Sequence, residues 1–158
     1  MSYIQKDLLP GERIVYTGKL HWFLFAPGLS FLILSGLLFF FSEDQPLLRP
    51  VSSIIVLWAL YLLIKAFIIK ISTELAVTNK RIIFKRGLIS RDTMELNHAK
   101  IESIREEQGV LDRMFDCGTL VIEGTGGGQE VLRNIDAPLT FKKQAQAAAD
   151  PAAANAKP

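Results

Sequence analysis

The chain has 158 residues, 49% of them apolar and 22% charged, with a formal net charge of +2. That length leaves room for one small water-facing domain beside any membrane segment, and the near-neutral total excludes neither sign of partner. The single cysteine, Cys117, excludes an internal disulfide and fits a reducing compartment.

The first twenty residues are polar apart from Arg13–Thr17, where Ile14 and Tyr16 alternate with Val15. This patch reads either as an interfacial segment or as an extra strand joined to a domain farther along. Residues 22–41 then carry no charge. About twenty residues at ~1.5 Å each match the ~30 Å hydrocarbon core of a bilayer. Trp22 stands at interface depth, and Pro27 lies near the start of the span, where a missing backbone donor matters least. A signal peptide is disfavoured. The apolar run is too long, PGERIVYTGKLHW is no short basic leader, and Phe39-Phe40-Phe41 offers no small-residue cleavage site. The spacings Ala26/Ser30 and Gly28/Leu32/Gly36 permit close helix contact.

After the polar SEDQPLLRP, residues 51–71 form a second apolar run whose interior carries one charge, Lys65, with Lys70 at its end. Lys65 lies five positions before Lys70, so its stem reaches toward headgroups. That reach lowers the ~2.5–3.5 kcal/mol that a central lysine costs. Lys6, Arg13 and Lys19 precede the first run, Lys70 stands at the end of the second, and Lys80, Arg81, Lys85 and Arg86 follow it. The connecting segment holds only Arg49, beside Glu43 and Asp44. By the positive-inside rule both termini are expected in the cytoplasm.

From Ser72 the texture is β. Leu75–Thr78 leads through the turn-prone Asn79-Lys80 into Arg81–Lys85, and after Gly87 the period-2 pattern continues over Leu88–Leu96. Lys100–Gln108 is ambiguous between strand and helix, and Val110–Phe115 reads as a helical turn with Leu111, Met114 and Phe115 on its apolar side. Thr119–Glu123 and Gln129–Ile135 read as strands flanking a glycine-rich hairpin tip. Asp136-Ala137-Pro138 predicts a helix start, with Asp136 as cap, and Leu139–Ala149 the helix itself. The remainder, DPAAANAKP, reads as a disordered tail.

The organisation expected is therefore an N-terminal cytoplasmic segment 1–21, a transmembrane helical hairpin 22–71 with spans 22–41 and 51–71, a β-rich domain 72–149 and a tail 150–158. Chemistry-bearing motifs are sparse. Gly124–Gly128 lacks the Lys-Ser/Thr of a phosphate loop and precedes a strand, so it reads as a turn. His21 is expected at the membrane interface and His98 in a loop before Ile101, with no metal-ligand spacing to Cys117. Glu106-Glu107 reads as a solvated edge. The basic group Lys80, Arg81, Lys85, Arg86 and Arg91 fits attraction to anionic headgroups equally with plain topogenic charge. Nucleic acid is disfavoured as a partner, because Glu102, Glu106, Glu107 and Asp112 answer the positives. No catalytic residue, metal or cofactor site, or small-molecule substrate is expected.

The stretches VTNKRIIFKRGLIS (77–90) and IESIREEQGVLDRMFDCGTLVIEGTGG (101–127) resemble the second class of bacterial pleckstrin-homology-like membrane proteins. RNIDAPLTFKKQ (133–144) is similar to the end of that module, and PGERIVYTGKLHW (10–22) to the segment before its first span. The clearest markers are Thr78-Asn79-Lys80-Arg81 and Gly118-Thr119. The resemblance implies an α+β membrane protein: a two-helix transmembrane hairpin followed by a PH-like antiparallel β sandwich or barrel capped by a C-terminal helix. It implies location in a bacterial inner membrane but no reaction, and fold analogy alone does not license phosphoinositide binding. The function expected is that of an anchored module binding another membrane protein or copies of itself, or alternatively anionic membrane lipid in envelope homeostasis. A role in transport is the remotest reading.

Overall fold

The computed structural model describes residues 4, 7–42, 45, 47–87 and 92–150. Among the sequence expectations, Leu88–Ser90, Arg91, Glu43, Asp44 and the tail from Pro151 lie outside the described residues. Two units separate: the apolar segment from Trp22 to Ile71, and a β unit built from the residues on either side of it.

In the apolar unit, helix α1 opens with a 3-10 turn, Trp22–Phe25, and continues as an α-helix over Ala26–Phe40. Helix α2 covers Leu48–Ser72. It begins three residues before the expected span because Pro50 falls in its first turn, where the ring costs no intrahelical hydrogen bond. Both helices are long and apolar enough to cross a membrane. Gly28 and Ser35 are buried along one, with Ser42 buried just past its end, and Ser52, Ala59 and Ala66 along the other. Each set recurs every seventh residue, so small side chains line one face of each helix, the pattern that permits close contact between helices. A Cβ on Gly28 would lie 2.7 Å from Leu63 Cδ2 and 3.3 Å from the Leu63 backbone nitrogen. Ser35 and Ser52 donate their hydroxyls to the carbonyls of Leu32 (2.7 Å) and Arg49 (2.8 Å), so neither buries an unpaired polar group. Of the close-contact spacings expected from sequence, Gly28 lies on that face; a Cβ on Gly36 would meet nothing within 4 Å.

The β unit contains seven described strands: β1 (Ile14–Gly18), β2 (Glu74–Thr78), β3 (Arg81–Arg86), β4 (Asp92–Asn97), β5 (Ile101–Glu107), β6 (Cys117–Gly124) and β7 (Gln129–Asp136). They form two antiparallel sheets, β1-β2-β3-β4 and β5-β6-β7. A short helix, α3 (Val110–Met114), joins β5 to β6, and α4 (Pro138–Ala149) closes the unit. The ambiguous segment 101–107 is a strand: its register against β6 buries Ile104's neighbours Leu120 and Ile122, and helical spacing of Ile101 and Ile104 is coincidental. Arg13–Thr17 resolves as the extra strand, β1, paired with β2 from Ile14↔Thr78 to Gly18↔Leu75.

The core follows from alternation. Leu75, Val77 and Ile82 face Leu120, Ile122, Leu132 and Ile135, and Phe141 and Ala145 of α4 complete the cluster. The Tyr16 ring meets Phe141 edge-on at 6.0 Å. On the opposite face of the first sheet, Ala76 and Ile83 pack with Ile4 and Ile14, so β2 is buried on both sides. Asp136 does not cap α4: it is the last residue of β7, and Ala137 takes the cap position with φ 46° and no side-chain bond. Pro138 is in the first turn as expected. Gly118 is explained by crowding, since a Cβ there would come within 2.9 Å of Pro138 Cγ and 3.2 Å of the Glu107 carbonyl.

Candidate interaction site

The sequence markers converge on one turn. Leu9-Pro10-Gly11-Glu12 forms a type II turn, with the Glu12 N–H donating to the Leu9 carbonyl at 2.8 Å and Gly11 at φ +74°. It delivers the Glu12 carboxylate, whose side chain is fully buried, to the β2–β3 turn. There Arg81 donates from Nε to Glu12 Oε1 (3.0 Å) and from Nη2 to Oε2 (3.1 Å), a bidentate fork. The Thr78 hydroxyl donates to Oε1 at 2.7 Å, and the Leu9 N–H donates to Oε2 at 2.8 Å. Arg81 also pairs with Glu95 and donates to the Asp7 carbonyl at 3.0 Å.

Burial alone would raise the Glu12 pKa, but the bonds from Leu9, Thr78 and Arg81 together with the Arg81 charge hold it below the ordinary carboxylate value. Burial likewise works against the charge of Arg81, yet Glu12, then Glu95 and Asp7, raise its pKa. Asn79 closes the clasp. Its Oδ1 accepts from the Arg13 N–H (2.9 Å), its Nδ2 donates to the Gly11 carbonyl (3.2 Å), and its own N–H donates to the Arg13 carbonyl (3.2 Å). Lys80 Nζ donates to the Pro10 carbonyl at 3.0 Å. His98, on the 3-10 turn after β4, donates Nε2–H to the Thr78 carbonyl at 2.7 Å. Thr-Asn-Lys-Arg therefore fastens residues 7–13 to the first sheet.

The expected basic patch does not come together as one surface. Arg81 is held by two carboxylates, and Lys80 sits with it at the turn end of β3. Lys85 and Arg86 lie at the other end of that strand, opposite Glu74 of β2 and Asp92 of β4. Arg91 lies outside the described residues. Sequence spacing hid the split, because five residues of strand carry a side chain ~16 Å along its axis. The missed participant was Glu12, whose pairing with Arg81 crosses the whole apolar hairpin in sequence.

The remaining candidates occupy structural positions. His21 is buried against the β unit: its N–H donates to the Asn134 carbonyl at 2.8 Å and its ring lies 3.9 Å from Asp136. Cys117 is buried, and burial together with Asp112, Asp136 and Asp116 pushes its thiol pKa up, which keeps it in the unreactive form. Among the described residues no cluster of His, Cys, Asp or Glu could hold a metal ion. Gly124–Gly128 forms the β6–β7 hairpin tip, closed by the Gly124 N–H donating to the Gly128 carbonyl at 2.9 Å.

Residues 26–155 match the family described as Bacterial PH domain, a stretch that takes in both apolar helices and the strands that follow. The chain belongs to that family. No curated protein and no solved structure matches it. The bacterial PH match begins after β1, although β1 pairs with β2 and the Glu12 clasp holds the residues just before it. The PH-like unit is thus completed by residues upstream of the apolar segment.

Proposed function

We propose that the chain is a non-enzymatic module anchored in the bacterial inner membrane by two spans, presenting its PH-like unit to the cytoplasm for contact with another membrane protein or with copies of itself. The observation that carries this reading is the place of the apolar segment within the β unit. It is inserted between two paired strands, β1 and β2, with three residues between β1 and α1 and one between α2 and β2. An anchor so tightly tied confines the domain to the membrane surface, where a weak contact suffices because its effective concentration is high. The conspicuous charges of the Glu12–Arg81 clasp hold the fold together, which leaves strand edges such as β4 and β5 as pairing surfaces. Crosslinking in native membranes, followed by size analysis of the full chain in mild detergent, tests it. A discrete oligomer or a recurrent crosslinked neighbour is expected, and a strictly monomeric particle without neighbours contradicts it.

Anionic lipid is the second reading, favoured by Lys85 and Arg86 lying at the end of β3 where β2 begins. Lipids retained by the full chain should then be enriched in anionic headgroups, and Lys85→Gln with Arg86→Gln should remove that enrichment while Lys80→Gln does not. Equal retention of neutral lipid by the unaltered chain excludes it.

A further inference from the structure

We propose that α3 is an additional membrane contact, a short apolar helix whose Val110, Leu111 and Met114 side chains enter the lipid interface of the membrane that α1 and α2 cross. The idea rests on reading those two helices as spans, and it adds a lipid-touching element that neither the anchor nor the basic residues supply.

The sequence of this connection, Val-Leu-Asp-Arg-Met-Phe, sets Val110 above Met114 and Leu111 above Phe115, each pair four apart and so on neighbouring rows of one helical face. Asp112 leaves that face to accept from the Gly109 N–H at 3.1 Å, which fixes the start of the helix. A short helix with this pattern ordinarily turns its apolar face inward. Here Val110 is 83% exposed, Met114 74% and Leu111 60%. Among the described residues, half of the large exposed apolar side chains in the β unit fall within residues 110–115. Concentrations of this kind mark contact surfaces.

The position of α3 identifies the occupant. Asp116, just after the helix, accepts at its carbonyl from the Ala137 N–H (2.9 Å), and the neighbouring Asp136 N–H donates to the Lys19 carbonyl (2.9 Å). Cys117 pairs with Asp136, and Leu20 bridges to Ile135. The apolar face therefore sits at the end of the β unit from which the chain departs for α1, and only Leu20 and His21 separate Lys19 from Trp22. The charges carried by these segments, Lys19 and Arg113 against Asp112, Asp116 and Asp136, sum to one negative, so the attraction is apolar and insensitive to salt.

The test uses the full chain carrying Cys117→Ala, reconstituted in nanodiscs of mixed phosphatidylcholine and phosphatidylglycerol. Single cysteines replace Val110, Met114, Ile33 in α1 or Thr125 at the β6–β7 tip, each with a nitroxide label. Should Cys117→Ala unfold the chain, the buried native thiol is left in place, since it does not label in the folded state. Collision with oxygen and with a water-soluble nickel complex is then read for each site. Labels at 110 and 114 are expected to favour oxygen over nickel several-fold relative to the label at 125, and to keep that ratio in high salt. Water-like ratios at 110 and 114, with Ile33 in lipid, overturn the α3 contact and leave the anchor standing. Shielding of 110 and 114 from both reagents means a protein neighbour, and also overturns it. A water-like ratio at Ile33 overturns the anchor and the α3 contact together.

Discussion

Glu12 and Arg81 form a buried, fully hydrogen-bonded pair, and such pairs are unforgiving when half is removed. Arg81→Ala strands the Glu12 carboxylate and should destabilise the β unit by about 3–5 kcal/mol, while Lys80→Ala, on an exposed side chain, should cost under about 0.5 kcal/mol. Denaturant unfolding of the detergent-solubilised chain measures both, and comparable losses would remove the distinction drawn between neighbouring cations. The pH dependence follows from the direction of the Glu12 shift. A carboxyl whose pKa is depressed on folding stabilises fully above its ordinary value of 4.5 and loses that contribution as pH falls through the lower folded value. The stability gap between the unaltered chain and Glu12→Gln should therefore be constant near neutrality and narrow in acid. A gap that widens in acid contradicts the assignment.

At the scale of elements, the small-residue face makes a sharp contrast between two glycines of one helix. Gly28→Ala drives a methyl into Leu63 and should cost about 1–3 kcal/mol, whereas Gly36→Ala meets open space and should be neutral or favourable by up to about 1 kcal/mol. Thermal unfolding in detergent separates them. How much of this was legible differs from element to element. The apolar runs, the β2–β3 hairpin and the C-terminal helix could be read because each is written in local periodicity and turn chemistry. Lys100–Gln108 was ambiguous because Ile101 and Ile104 satisfy a helical spacing by accident, and only pairing with β6 decides it. The failed Asp136 cap has a similar origin: β7 extends to pair Asp136 with Cys117, a tertiary demand that local preference for a capping aspartate does not register. The basic group read as a surface was split by strand length and by a carboxylate some seventy positions away in sequence.

For the whole molecule, the insertion of the hairpin predicts which pieces fold. A fragment beginning at Ser72 lacks β1 and the Glu12 clasp, so it exposes the edge of β2 and should aggregate. A chain in which a short Asn-Gly turn replaces residues 22–71 restores the β1–β2 pair, because Gly18 and Leu75 already stand opposite each other. It should be soluble and fold cooperatively, as far-UV and near-UV circular dichroism would report. Equal folding of the two would mean that β1 is dispensable. The same insertion orders events during synthesis. β1 leaves the ribosome first and its partner β2 follows roughly fifty-five residues later, a wait of about 3–10 s at ~5–20 residues per second. Through that interval the nascent strand has no neighbour, and the clasp that locks it cannot close until Thr78 and Arg81 emerge. Completion of the β unit is thereby timed to follow synthesis of the two apolar helices, so a chain arrested between β1 and β2 carries an unfinished sheet that proteases can recognise.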